Sequence, residues 1–166
     1  MTKKLLFVFL LALGLTFTGV CWAESPKEME ALQAKADAGD MDALGTMISV
    51  YQVGRGETAK DPAKAFELLQ KAADLGDAYY QRSLALIYLS GKVPYSDLKV
   101  EKNPTLAVEL LEKSAAQNNK DSQYSLAGMY EEGKNVTKDI EKAKVLYQAA
   151  CDNGHTGACN NKLIAK

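Results

Sequence analysis

Apolar residues recur along most of the chain at spacings of three and four, which is the period of an α-helix with one buried face. Glycines and short polar segments interrupt these stretches at fairly regular intervals. The pattern predicts consecutive helices at about residues 25–38, 41–53, 61–75, 78–90, 104–117, 122–132 and 139–152, with a last partial helix at 156–166.

Local sequence signals mark the predicted starts of these helices. Ser25-Pro26-x-Glu28 has the order of a capping residue, a proline in the first turn and an acidic third position. Asp61-Pro62 opens a later helix with the same combination of cap and proline. Several short helices with tight connections are therefore expected.

The helices form pairs, and the pairs repeat. Each first helix carries a tyrosine three residues before a glycine, and each second helix carries an alanine near its start; the repeated residues are Tyr51, Tyr88, Tyr130, Ala65, Ala107 and Ala143. A period of about 40 residues is typical of stacked helical hairpins. The sequence predicts an all-α fold, an α/α solenoid with repeats at about residues 39–76, 77–118 and 119–154. The middle repeat is longer because of an insert at residues 92–102, between its two helices.

The first 23 residues have the features of a secretory signal peptide. Lys3 and Lys4 precede an apolar run at residues 5–20, and small residues then lead to Ala23. The alternative is a retained membrane anchor, for which the run is short. Cleavage after Ala23 is the prediction.

Export would leave a repeat domain at residues 24–166 in the periplasm or outside the cell. Cys21 raises a lipoprotein alternative, which Val20 disfavours because that position requires a small residue in a lipoprotein signal. After cleavage we expect no membrane attachment.

Charge argues against two classes of partner. The chain has 20 basic and 21 acidic residues, and loss of Lys3 and Lys4 leaves a small net negative charge. There is no basic block or arginine stripe that would indicate binding to nucleic acid or to an anionic membrane surface. The expected partner is another protein or peptide.

Two cysteines, Cys151 and Cys159, remain after the predicted cleavage. Export and an even number of cysteines make a disulfide the default expectation. The alternatives are a reactive thiol or a metal site, and the metal site is poorly supported because His155 is the only histidine. We expect neither a metal nor a cofactor.

The repeated order Ala-x7-Tyr-x-x-Gly, Asp, Ala-x7-Ala-x-x-Gly resembles the Sel-one-like repeat, a relative of the tetratricopeptide repeat. The resemblance runs from about residue 39 to residue 158, and the middle repeat departs from it at Tyr80, Asn118 and Ser122. It implies an α/α solenoid that acts as a scaffold, adaptor or interaction module. Exported bacterial members also serve as partners or inhibitors of other exported proteins.

The end of the chain is similar to a subgroup, the Helicobacter cysteine-rich proteins. The resemblance implies that Cys151, in the second-helix alanine position, pairs with Cys159 in the next first helix. Eight residues of straight helix would separate them by about 12 Å, so pairing requires a turn at residues 153–157. Some members have been described as weak β-lactamases or penicillin-binding proteins, which gives the alternative function.

Catalytic residues are not evident. A serine acylase would show Ser-x-x-Lys at the start of a helix, and the candidates Ser83 and Ser125 lack the lysine. His155 lies in the predicted turn between the two cysteines. The sequence therefore predicts no enzyme and no catalytic residue.

Binding residues are expected on the first helices, which line the concave wall of such an array. The four residues Tyr79, Arg82, Leu86 and Leu89 form a stripe beside the core in the second repeat; Tyr and Arg are enriched at binding hot spots. The corresponding stripes are Asp42, Gly45, Ser49 and Gln52 in the first repeat, and Asp121, Tyr124, Gly128 and Glu131 in the third. The hypothetical partner-binding site consists of Tyr79, Arg82, Leu86, Leu89, Tyr124 and Glu131.

Two alternatives concern this site. Leu86 and Leu89 would not contact a partner if they pack against a neighbouring helix. The insert at residues 92–102 is either a second recognition surface or a plain spacer.

Overall fold

A computed structural model describes residues 26–165 of the chain; the predicted signal peptide, the Ala23 cleavage site and Cys21 lie outside these residues. The described residues form eight α-helices and no strand longer than an isolated bridge. The helices are α1 Pro26–Asp37, α2 Met41–Val53, α3 Pro62–Asp74, α4 Ala78–Ser90, α5 Pro104–Ala116, α6 Lys120–Glu132, α7 Ile140–Asp152 and α8 Thr156–Cys159.

The helices pack in chain order, each one against the next. Helices α2 to α7 all have 13 residues, and a carboxylate or amide side chain caps the N-terminus of each. The capping residues are Asp40, Asp61, Asp77, Asn103, Asn119 and Asp139. The predicted all-α solenoid is confirmed.

Two predicted helix bounds require correction. Helix α6 begins at Lys120, two residues earlier than expected, because Asn119 accepts a hydrogen bond from the Ser122 amide (3.0 Å) and so acts as the cap. The last helix ends at Cys159 and does not continue to residue 166. Asn161 accepts a hydrogen bond from the Leu163 amide (2.8 Å), which favours a turn in place of further helix.

Small and large apolar residues share the core. Alanines at the helix contacts are fully buried, as are Leu44, Met47, Leu111 and Leu126. The repeated tyrosines join neighbouring helices: Tyr88 accepts a hydrogen bond from Gln70 Nε2 (3.2 Å). Tyr130, at the corresponding position, donates one to Glu112 Oε1 (3.2 Å). These tyrosines therefore have a packing role.

A disulfide joins Cys151 and Cys159, as the resemblance implied. In the two preceding repeats the corresponding contact is a hydrogen bond from a buried glutamine to the end of the second helix. Gln81 Nε2 donates to the Ala73 carbonyl (3.3 Å), and Gln123 Nε2 donates to the Ala115 carbonyl (3.1 Å). The last joint thus has a covalent bond where the others have a hydrogen bond.

Two buried serines explain one departure from the repeat pattern. Ser114 Oγ donates a hydrogen bond to the Ala78 carbonyl (2.6 Å) and lies 2.7 Å from Ser122 Oγ. A hydroxyl has one hydrogen to donate, so Ser122 must be the donor to Ser114. The pair replaces the alanines found at these positions in the last repeat, Ala150 and Ala158.

We expect Ser114→Ala to lower the free energy of unfolding by about 1–3 kcal/mol, because it leaves the buried Ser122 hydroxyl without an acceptor. The double change Ser114→Ala with Ser122→Ala removes both hydroxyls and should recover part of the loss. Urea unfolding of the three proteins tests this expectation. If the double variant were less stable than the single variant, the hydrogen bond between the two hydroxyls would not explain the loss.

Candidate partner-binding face

The exposed surfaces of α2, α4 and α6, here called the A-helix face, contain two grooves. The first groove, of about 450 Å³, lies between α2 and α4 and extends to the insert. The second groove, of about 630 Å³, lies between α4 and α6. Helix α4 is the ridge that separates them.

Helix α4 supplies the large side chains of the first groove. Tyr79 is 62% exposed and Leu86 is 39% exposed, so packing against a neighbouring helix leaves part of each residue accessible to a partner. On α2 the groove is lined by Gly45, Ser49 and Gln52, which are small or polar, and by the buried Ile48. The first repeat therefore supplies the space into which the tyrosine and leucine of the second repeat project.

Gly45 is needed for this groove because of Tyr80. A Cβ atom at position 45 would lie 2.5 Å from the Tyr80 hydroxyl. Tyr80 occupies a position where the repeat has an alanine, and the absence of a side chain at Gly45 makes room for it. Burial, and then the nearby Asp77 carboxylate, raise the pKa of Tyr80. Its ring also contacts that of Tyr79, edge to face, with centroids 5.2 Å apart.

The insert at residues 92–102 is an ordered hairpin. The Val93 amide donates to the Leu98 carbonyl (3.2 Å), and the Val100 amide donates to the Gly91 carbonyl (3.0 Å). Val93 is buried, and the side chains of Leu98 and Val100 pack against the core. At Gly91 φ is +73° and a Cβ atom would lie 3.0 Å from the Val100 carbonyl oxygen, so the base of the hairpin requires glycine.

The tip of this hairpin reaches the first groove. Pro94 and Tyr95 both line the groove, and Tyr95 is 73% exposed. The backbone of Tyr95 has φ of +58°, a conformation that is uncommon for a bulky residue. The fold therefore holds a strained, exposed tyrosine beside the groove.

The second groove contains a buried tyrosine from α7. Tyr147 donates a hydrogen bond to Glu131 Oε2 (2.8 Å). Burial and this carboxylate raise the pKa of Tyr147. A Cβ atom at Gly128 would lie 3.6 Å from the Tyr147 hydroxyl, an ordinary contact distance, so this glycine is not required in the way that Gly45 is. Tyr124 also lines this groove and contacts the Tyr147 ring at 5.5 Å.

A polar cluster connects α4, α6 and the last turn. Arg82 Nε lies 4.0 Å from Asp121 Oδ2, and His155 Nε2 lies 3.8 Å from Asp121 Oδ1. His155 stacks on Tyr124 with ring centroids 4.1 Å apart. Its Nδ1 accepts a hydrogen bond from the Ala158 amide (3.0 Å) and caps α8. His155 therefore has a structural role in the turn that precedes Cys159.

The structure divides the six predicted site residues into three groups. Tyr79 and Leu86 line the first groove, and Leu89 and Tyr124 line the second. Arg82 and Glu131 line neither groove. Arg82 lies in the ion pair with Asp121, and Glu131 accepts the hydrogen bond from Tyr147. Leu89 is only partly exposed and packs against the core, as the alternative interpretation proposed.

Several residues of the face were not expected from the sequence. They are Tyr80, Tyr95 and Tyr147, together with the first-repeat residues that make the opposite wall, Gly45, Ser49 and Gln52. The first-repeat stripe looked unremarkable because small residues give no signal of binding. Their effect depends on which side chains the next repeat places opposite them.

The two serines considered as nucleophiles bond to their own helices. Ser83 Oγ donates to the Tyr79 carbonyl (2.9 Å), and Ser125 Oγ donates to the Asp121 carbonyl (2.7 Å). Within residues 26–165, no group of three His, Cys, Asp or Glu side chains is placed to hold a metal ion. None of the helices in that range is long and apolar enough to span a membrane.

Residues 41–77, 78–119 and 120–155 each match the Sel1 repeat. The chain belongs to the Sel1 repeat family. Proteins built from Sel1 repeats generally mediate protein–protein interaction and are generally not catalytic. No curated protein matches this chain.

Solved structures of Sel1 proteins resemble this one. The Sel1 repeat protein from Oxalobacter formigenes is 30% identical over 80% of this chain and 94% of that one, with a TM-score of 0.70. The protein c5321, a protective antigen present in uropathogenic Escherichia coli strains, is 27% identical over 81% of this chain and 27% of that one, with a TM-score of 0.66. Cysteine rich protein B of Helicobacter pylori shares the fold, at 22% identity, 82% and 97% coverage and a TM-score of 0.59.

Proposed function

We propose that this chain is an exported module that binds another protein or a peptide through the A-helix face. The observation that carries the proposal is the first groove, where Tyr79 and Tyr95 are exposed opposite small residues. Membership of a family of interaction modules supports the same conclusion.

The composition of the first groove supports recognition of a protein. Its lining is rich in Tyr and Ser, with Gly45 and Gln52, and it includes Tyr79, Tyr80, Tyr95, Ser49, Ser83 and Ser90. Antibody paratopes use the same combination, because tyrosine supplies rigid amphipathic contact area and the small polar residues supply adaptable hydrogen bonds. An ordered backbone loses little entropy on binding, and the hairpin orders the backbone that carries Tyr95.

Export is supported by the disulfide. Disulfides persist in oxidising compartments and are rare in the cytosol, so Cys151–Cys159 favours an extracytoplasmic location. The secretory features of the first 23 residues give the finer proposal, which is the periplasm or the extracellular space. Two roles fit such a module: an adaptor in an envelope complex, or a neutraliser of a toxic effector.

The test is affinity capture from a periplasmic extract, with the captured proteins identified by mass spectrometry. We expect Tyr79→Ala with Arg82→Ala to abolish capture of the partner, because Tyr79 is exposed in the first groove and Arg82 is a partly exposed cation three residues later on the same helix. The matched control is Val145→Ala with Lys113→Ala, which removes one exposed apolar and one exposed basic side chain from α7 and α5. Capture that is equal for the two double variants would contradict the proposal.

The identity of the partner then distinguishes the two roles. A captured toxin would indicate neutralisation, and a captured subunit of an envelope complex would indicate an adaptor. Far-ultraviolet circular dichroism and thermal melting of each variant establish that loss of capture does not result from unfolding.

A further inference from the structure

The distribution of charge in the first groove restricts what it can hold. Of the described residues that line the groove, Lys92 is the only one that carries a charge. The remainder are tyrosines, serines, aliphatic residues, Gly45, Gln52 and Pro94. A segment that enters the groove must therefore be mostly uncharged, because a buried charge without a partner is costly.

Lys92 is available to pair with an acidic group. Within residues 26–165, no carboxylate lies within ion-pairing distance of its ammonium group, and its side chain is exposed. Its backbone is fixed, since Lys92 pairs with Lys99 across the base of the hairpin. Beyond Tyr95, by contrast, a shallow depression is lined by both Lys60 and Asp97. It therefore does not favour a partner of either charge.

The length of the groove sets the size of the segment. It extends along α4 from Tyr79 to Ser90, about 16 Å at the rise of an α-helix. An extended peptide covers that distance with about five residues. Lys92 follows the end of α4 at Ser90, so its ammonium group lies at one end of this segment of about five residues.

We propose that the first groove binds an extended, largely uncharged peptide segment of a partner protein, with an apolar side chain over Tyr79 and Leu86 and a carboxylate at Lys92, at the end of the groove. This inference rests on the proposed function and adds the chemistry of the partner. Tyr95 closes the groove from the side of the hairpin. Its strained backbone is consistent with a residue that is held in place for binding.

The experiment is selection of random 12-residue peptides, displayed on phage, against the immobilised protein. We expect enriched sequences to carry Asp or Glu within about five residues of an aromatic or aliphatic residue, at a constant spacing. A synthetic peptide of the enriched sequence should bind at least tenfold more weakly to Lys92→Glu, and exchange of its acidic residue for the amide should cost a similar factor. The two changes together should lower the affinity no more than either change alone, because each of them removes the same ion pair.

Two controls separate this site from others. Lys134→Glu changes the corresponding lysine of the third repeat, which lines the second groove, and should leave the affinity within about twofold. Tyr95→Asn keeps a residue that tolerates the left-handed backbone, removes the ring and should also weaken binding.

The inference would be overturned if no peptide were enriched, or if the enriched peptides lacked an acidic residue. It would also be overturned if the Lys92→Glu protein selected the same peptides. Enriched peptides with apolar residues at the i, i+3, i+4 and i+7 spacing would indicate a bound helix and would likewise contradict it. The selection does not use the natural partner. Its failure is therefore distinguishable from failure of the capture experiment, which would still report binding at the A-helix face.

Discussion

Leu111→Ala is expected to lower the free energy of unfolding by about 2–5 kcal/mol. Leu111 is fully buried on α5, and the shorter side chain leaves a cavity that the surrounding helices cannot close completely. In a stacked array each repeat is stabilised by its neighbours. A cavity in the middle repeat therefore weakens the joints on both sides.

The matched control is Leu86→Ala, the same chemical change on the ridge between the grooves. Leu86 is 39% exposed, so we expect a loss of about 1 kcal/mol or less. Urea unfolding followed by circular dichroism measures both effects. Equal losses of stability would show that Leu86 is a packing residue, which would remove it from the proposed binding face.

The second large effect is expected from the disulfide. Replacing Cys151 and Cys159 with alanine should lower the free energy of unfolding by about 2–3 kcal/mol, because the crosslink restricts the unfolded chain. The loss should be concentrated at α8 and the residues after it, since the crosslink is what joins α8 covalently to α7.

Reduction provides an independent check on the disulfide. Wild-type protein in a reducing agent should match the double alanine variant, and the variant itself should not respond to the reducing agent. Unfolding in urea under both conditions gives the comparison. A wild-type protein that is equally stable when reduced would contradict the assigned role.

Most of the fold could be predicted because its signals are local. Helices α2 to α7 each follow a capping Asp or Asn, and the repeated glycines follow the first helices, so α2 and α4 have the bounds that the sequence predicted. The last helix could not be predicted as well. Its length depends on Asn161, which forms a turn, and on the disulfide that holds the preceding residues.

The site was less predictable because it depends on contacts between repeats. Tyr79 and Leu86 were found from their spacing on one helix. The importance of Gly45 appears only when Tyr80 lies over it, and the role of Tyr95 depends on how the insert folds back towards α2. Periodicity within a helix carries no information on either contact.

The central claim is that the irregular residues of the A-helix face bind the partner, while the repeated residues build the scaffold. The most direct measurement is isothermal titration calorimetry of the captured partner with wild-type protein and with the two double variants. We expect Tyr79→Ala with Arg82→Ala to raise the Kd at least 100-fold, about 3 kcal/mol. The Val145→Ala and Lys113→Ala control should leave the Kd within about threefold. If the control variant raised the Kd and the Tyr79→Ala with Arg82→Ala variant left it unchanged, binding would lie on the opposite face. That result would contradict the account.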